Sequence, residues 1–168
     1  MAAGSLRCRL AAPDDVPIAA DILEEATRWL RSRDLPTGWP IPYPREILVE
    51  HVANSELYLV EREPEGAVAT VTLQWEDVRF WGERPPDACY LHHFAVRRSV
   101  AGEGVGGRVL RWVEGLARAR GRSFVRLDCV ANDARLIGYY TSRGFERRGE
   151  RFVGGLWVAL LEQPLGPV

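Results

Sequence analysis

Four glycines fall within six positions, Gly102, Gly104, Gly106 and Gly107, between a strand-like run ending at Val96 and a helix-like run from about Val105. Glycine there lets the backbone come close to a ligand. The unsatisfied N–H groups of a helix start, backed by the helix dipole, form an anion site that suits a pyrophosphate. A plain tight turn would need fewer glycines. Other residues of chemical interest flank the loop: Glu76 and Asp77 after Trp75, the pair His92 and His93, then Asn132 and the pair Tyr139 and Tyr140. An imidazole with a pKa of about 6.5 takes a proton at neutral pH, and a phenol near 10 holds one that it can give to a strong base.

The segment Gly102-x-Gly104-x-x-Gly107 also matches the dinucleotide-binding fingerprint, with Asp128 about 20 residues on. The surroundings argue against an NAD-binding Rossmann fold. Arg97 to Ala101 separate the strand from the first glycine, only about 40 residues follow Asp128, and the region before Tyr90 reads as antiparallel.

The elements that must carry these groups follow from periodicity. Ile18, Ala19, Ile22, Leu23, Ala26, Trp29 and Leu30 predict a helix over Val16 to Leu30, capped by Asp14 or Asp15, and a short helix is expected from Pro44 or Arg45. Leu57 to Val60, a turn at Glu63 to Gly66, and Ala67 to Trp75 form a hairpin pattern. Tyr90 to Val96 and Phe124 to Val130 read as strands, Asp133 to Arg143 as a helix closed by Gly144, and Phe152 to Leu161 as a final strand. The class is α+β with one parallel crossover.

With 168 residues, 46% hydrophobic and 27% charged, a single domain spanning 1–168 is expected, burying about 70% of its unfolded surface without a metal or disulfide staple. A net charge of -1 argues against nucleic-acid binding by bulk electrostatics. All 22 basic residues are arginine, from which no function follows. Cys8, Cys89 and Cys129 lack a Cys-x-x-Cys spacing, so a reducing cytoplasm is expected. Arg7 and Arg9 interrupt any signal-peptide core, and no run approaches the roughly 20 apolar residues of a membrane span.

The run Val96 through Ala101-Gly102-Glu103-Gly104-Val105-Gly106, followed by helix, strand, Asn132, Tyr139-Tyr140 and Gly144-Phe145, resembles the GNAT superfamily of acetyl-CoA-dependent N-acetyltransferases over roughly Leu57 to Phe145. The resemblance implies a mixed, mostly antiparallel central sheet flanked by helices, with a splayed strand pair at the acyl-CoA site. It implies that the backbone of Phe94, Ala95 and Val96 pairs with the pantetheine arm of acetyl-CoA. The amides of Ala101, Gly102, Glu103, Gly104, Val105, Gly106 and Gly107 would hold the pyrophosphate. Ala101 departs from the Arg or Gln usual there, and Arg97 or Arg98 could replace that contact. Asn132 is read both as a helix cap and as a cofactor contact, with Asp133 competing for the cap position.

By the same resemblance the reaction is acetyl transfer to a primary amine of a small molecule or peptide, by direct attack in a ternary complex without metal or covalent enzyme intermediate. Tyr140, four residues before Gly144, takes the place of the general acid that protonates the departing thiolate, with Tyr139 as its neighbour. The base is His92, on the strand face shared by positions 92, 94 and 96, or a water held by Glu76; His92 as a structural histidine stays open. A backbone N–H near Phe94 would polarise the carbonyl. Glu76, Trp75 and Trp39 are candidates for the acceptor pocket. A non-catalytic acyl-CoA sensor of the same fold is the alternative, and a homodimer is compatible with either.

Overall fold

The structure, a computed structural model, describes residues 4–166. In chain order its elements are β1 (Leu6–Leu10), α1 (Val16–Arg31), α2 (Arg45–Ala53), β2 (Leu57–Arg62), β3 (Gly66–Gln74), α3 (Val78–Trp81), β4 (Ala88–Val96), α4 (Val105–Ala119), β5 (Phe124–Val130), α5 (Ala134–Thr141), β6 (Glu146–Val153) and β7 (Leu156–Pro164). The strands make a mixed sheet in the order β1-β2-β3-β4-β5-β7-β6, flanked by helices. β4 and β5 run parallel, whereas β1–β2, β2–β3, β5–β7 and β6–β7 are antiparallel. This is the α+β mixed sheet expected from the sequence. Among the described residues no helix is long and apolar enough to cross a membrane.

Two compact units divide the chain. The first comprises residues through Asp34, Trp39–Leu73 and His93–Leu110; the second comprises Leu35–Gly38, Gln74–His92 and the chain from Arg111. In the first, Ala19, Ile22 and Leu23 of α1 pack with Leu48 of α2 and with Leu57 and Leu59 of β2. That is the apolar stripe predicted at helical spacing. In the second, Trp81, Ala88, Tyr90, Val158 and Leu160 form a core cluster. Beside it the buried Arg126 guanidinium donates to Glu162 at 2.8 Å, Asp87 at 2.9 Å and the Tyr90 hydroxyl at 2.9 Å. A charge taken out of water needs such partners.

Three elements differ from the sequence expectation, and at a fourth, one of two open alternatives is taken. β1 pairs Leu6–Leu10 with Arg62–Tyr58. Its arginines hid the strand, because Arg9 is held by Asp15 at 2.6 Å and Glu61 at 2.8 Å. The expected final strand from Phe152 is a hairpin: Gly154 (φ 60) and Gly155 (φ 83) make a two-residue turn between the paired Val153 and Leu156. Left-handed geometry at both central positions suits the right-handed strand twist. α3 was not anticipated; Asp77 starts it by accepting from Phe80 N at 3.1 Å. At α5 the cap is Asp133, which accepts from Leu136 N at 2.9 Å, so Asn132 lies one residue outside the cap position.

Candidate active site

In the second unit the parallel ladder between β4 and β5 runs from Ala88↔Phe124 to Leu91↔Leu127 and stops, although both strands continue. Here the pair splays. His92 and Asp128 are the first residues past the last rung. The His92 ring lies between two carboxylates, Nε2 3.1 Å from Asp77 Oδ2 and Nδ1 3.4 Å from Asp128 Oδ1, with side-chain exposures of 12%, 5% and 13% for His92, Asp77 and Asp128. The Phe80 ring packs 5.8 Å from it. Burial by itself would lower the imidazole pKa, but Asp128 and Asp77 outweigh it and push it up to about 9. His92 is therefore mostly imidazolium at neutral pH, unlike the ordinary histidine read from the sequence.

One ligand atom from each of the three residues falls within 4.8 Å of the others, near enough for a cation to be bridged. Each ring nitrogen faces a different carboxylate at ion-pair distance, an arrangement that suits an imidazolium between two negative charges. Asp77 Oδ1 caps α3, and its Oδ2 faces His92 at 3.1 Å.

Glu76, the carboxylate proposed for the acceptor side, is exposed. It lines a polar cavity of about 440 Å³ with Trp75, Asp77, Glu83, Arg84 and Tyr90. Trp75 carries the Arg120 guanidinium 4.4 Å from its ring centroid. Trp39 belongs to the other unit, where it packs on the α1–α2 core.

Tyr140 is buried, 6% exposed, with Tyr139 edge-on at 5.2 Å and Phe145 at 5.5 Å. Burial, reinforced by Cys129, Tyr139 and Asp128, raises its hydroxyl pKa far above the usual range, so it stays protonated at any working pH. Tyr139 is half-buried with Arg143 stacked 3.7 Å from its ring. Asn132 lines a cavity of about 390 Å³ with Ala131, Glu150, Gly155, Leu156 and Trp157. Cys89 and Cys129 are buried, and burial pushes both thiols up to about 12, as suits inert packing groups.

The glycine loop lies in the first unit. Gly102 (φ 84) and Gly104 (φ 75) adopt left-handed backbone, and a Cβ built on either would meet nothing within 4 Å. The amides of Ala101 and Glu103 donate inward, to Arg98 O and Val100 O, and that of Arg108 opens the α4 ladder by donating to Gly104 O at 3.1 Å. Val105, Gly106 and Gly107 thus occupy the first turn, whose amides have no intrahelical acceptor. These fit a diphosphate; the amides of Ala101 and Glu103 are already spent. Of the two arginines suggested to replace a side chain at Ala101, Arg97 is committed, to Ala67 O at 3.0 Å, Glu25 at 2.6 Å and Asp21 at 2.9 Å. Arg98 is exposed and stacks 4.0 Å from the Trp29 ring.

Phe94, Ala95 and Val96 end β4 past the splay. His93 immediately before them has φ 48, which interrupts the two-residue alternation that put positions 92, 94 and 96 on one face. Its Nδ1 lies 3.1 Å from Thr72 Oγ1, and its ring packs on Tyr43 and His51. Sequence reasoning missed Asp77 and Asp128 as partners of His92. The available signal was strand pairing, which sets residue 128 beside residue 92 once Leu91 is matched to Leu127.

Residues 24–145 match the profile of the Acetyltransferase (GNAT) family. The chain is 26% identical over 142 residues to the uncharacterized N-acetyltransferase YesJ of Bacillus subtilis (strain 168), covering 81% of this chain and 79% of that protein. Its fold is similar to a GNAT-family acetyltransferase structure from Listeria monocytogenes 4b F2365, with a TM-score of 0.79, 24% identity and coverage of 98% and 99% of the two chains. It is also similar to the PaiA N-acetyltransferase of Thermoplasma acidophilum in complex with coenzyme A, with a TM-score of 0.72, 12% identity and coverage of 95% and 99%. The profile match spans most of the sequence, and the chain belongs to the GNAT family of acetyltransferases.

Proposed function

We propose that residues 1–168 act as one cytoplasmic N-acetyltransferase domain that moves an acetyl group from acetyl-CoA to a primary amine of a small molecule or peptide. The observation that carries this reading is the His92 ring clasped by Asp77 and Asp128 where the β4–β5 ladder opens. The coenzyme A complex of the Thermoplasma relative supports the choice of cofactor. Gly104, Val105, Gly106 and Gly107 would hold the diphosphate, Phe94 to Val96 the pantetheine arm, and Asn132 a further contact. Bound acetyl-CoA supplies the activated acyl group as a thioester.

His92 in its neutral form takes a proton from the acceptor's ammonium. A pKa of about 9 lies close to the roughly 10.4 of an alkyl ammonium, so the transfer is nearly balanced. An ordinary histidine would face a steeper climb. The main-chain N–H near Phe94 donates to the carbonyl oxygen as charge develops there. Tyr140 donates its hydroxyl hydrogen bond to the departing sulfur; because burial binds that proton tightly, its part is to stabilise the thiolate while the proton lost by the attacking nitrogen completes the thiol. Trp75 and Glu76 are assigned to the acceptor; Trp39, packed on the α1–α2 core of the other unit, is not.

The test is a thiol-release assay over a panel of primary amines, alongside a titration with coenzyme A. Turnover with at least one amine is expected. Coenzyme A binding without thiol release for any amine would instead make the chain an acyl-CoA sensor, and no binding would remove the reading altogether.

A further inference from the structure

The loop assigned to the diphosphate contains a carboxylate of its own, Glu103. A free negative charge within an anion site opposes the ligand it is meant to hold. Glu103 is not free. Arg62, the last residue of β2, donates from Nη1 to Glu103 Oε2 at 2.6 Å and from Nη2 to Glu65 Oε1 at 2.7 Å. The Arg62 side chain is 8% exposed, and that of Glu103 is 50% exposed.

The guanidinium is anchored from a rigid strand, paired through Arg62↔Leu6 and Arg62↔Gly66. Its stem is closely packed: a Cβ added to Gly4 would come within 3.2 Å of Arg62 Cγ. Glu103 lies between two left-handed glycines, Gly102 and Gly104, directly before the first turn of α4. Its charge is therefore carried within a few residues of the amides of Val105, Gly106 and Gly107.

We propose that Arg62 acts on the cofactor loop through Glu103: it cancels the charge of that carboxylate, which would otherwise oppose the diphosphate of acetyl-CoA held by the amides of Gly104 to Gly107. This rests on the reading that the loop holds that diphosphate. An acidic residue is tolerated inside the anion site only because its charge is answered from β2.

The experiment is a calorimetric titration of coenzyme A into wild type, Arg62→Gln, Glu103→Gln and the double variant, with kcat and KM for acetyl-CoA measured in parallel. Arg62→Gln is expected to weaken binding about tenfold, mostly in KM, as a freed carboxylate near a diphosphate should. The loss should shrink as salt is raised. Glu103→Gln alone, an exposed and fold-neutral change, should bind as well as wild type or better. The double variant should recover most of the loss, which a merely structural role for Arg62 would not allow.

Wild-type affinity in Arg62→Gln, or a double variant as weak as the single, overturns the proposal. A tenfold loss in Glu103→Gln overturns it too, and tests it even if Arg62→Gln fails to fold. Failure of the wild type to bind coenzyme A brings down the loop reading itself, an outcome distinct from the others.

Discussion

His92 and Asp128 face each other one residue past the last rung of the β4–β5 ladder, Nδ1 3.4 Å from Oδ1. With Asp77 on the other ring nitrogen, the charged imidazole persists until about pH 9. The neutral base is then scarce at pH 7 and grows about tenfold per pH unit below that value. Turnover at saturating acetyl-CoA should rise to a plateau near pH 9. Asp128→Asn should move the limb toward acid, because it removes the stronger of the two partners that raise the pKa, and His92→Gln should flatten it. A wild-type limb that levels near 6.5 would contradict the assignment.

The same pair links pH to stability. A histidine whose folded pKa is raised above the unfolded value near 6.5 stabilises the fold fully below 6.5, and that contribution is lost as pH rises through about 9. Wild type should therefore lose melting temperature between about pH 7 and 9 relative to His92→Gln, measured in matched buffers. Parallel melting curves over that window would mean that the carboxylates do not hold the ring as the distances indicate.

Tyr140→Phe isolates the hydroxyl from the ring. The contacts with Tyr139 and Phe145 are aromatic and survive the change. We expect kcat to fall about 100-fold, with KM for acetyl-CoA within about threefold and a nearly unchanged melting temperature. Tyr139→Phe should be mild, since its ring is already engaged by Arg143. Full turnover in Tyr140→Phe would strip this residue of its role at the leaving group.

Helices announced themselves because burial repeats at helical spacing: Ala19, Ile22 and Leu23 are buried where the pattern required. The glycine loop was legible because glycine enters left-handed backbone without penalty, as Gly102 and Gly104 do. β6 was not, because every residue from Glu146 to Phe152 is exposed, and an edge strand studded with Arg and Glu has no apolar alternation to read. The partners of His92 were hidden by tertiary structure, since Asp128 meets it through the β4–β5 register and Asp77 through the turn that opens α3. Asp77 rather than Glu76 faces His92 because α3 begins there, turning Asp77 inward and leaving its neighbour exposed.

Gly104 and Gly66 make a matched pair for testing the loop. Their φ values are 75 and 77, and an added Cβ meets nothing within 4 Å at either. Alanine at each should cost about 1 kcal/mol through the left-handed backbone alone. Gly66 starts β3 at a hairpin, whereas Gly104 precedes the first turn of α4. Coenzyme A affinity should fall in Gly104→Ala and hold in Gly66→Ala despite equal shifts in melting temperature. Equal affinities would place the diphosphate elsewhere.

His93 offers the sharpest test of the carbonyl-polarising backbone. At φ 48 it has a conformation that glycine adopts freely and alanine does not. What holds it there is the Thr72 hydroxyl at 3.1 Å with the Tyr43 and His51 rings, His51 being fixed in turn by Glu56 at 2.7 Å. His93→Ala keeps the strain and deletes the contacts, so the strand should relax toward regular pairing and re-aim the next amide. His93→Gly deletes the contacts but also the strain. We expect His93→Ala to be less stable than His93→Gly by about 1 kcal/mol, and to lose at least tenfold in kcat where the glycine variant loses less. If alanine turns over as fast as wild type, the amide after His93 is not what polarises the carbonyl, because the change that should misdirect it left the chemistry untouched.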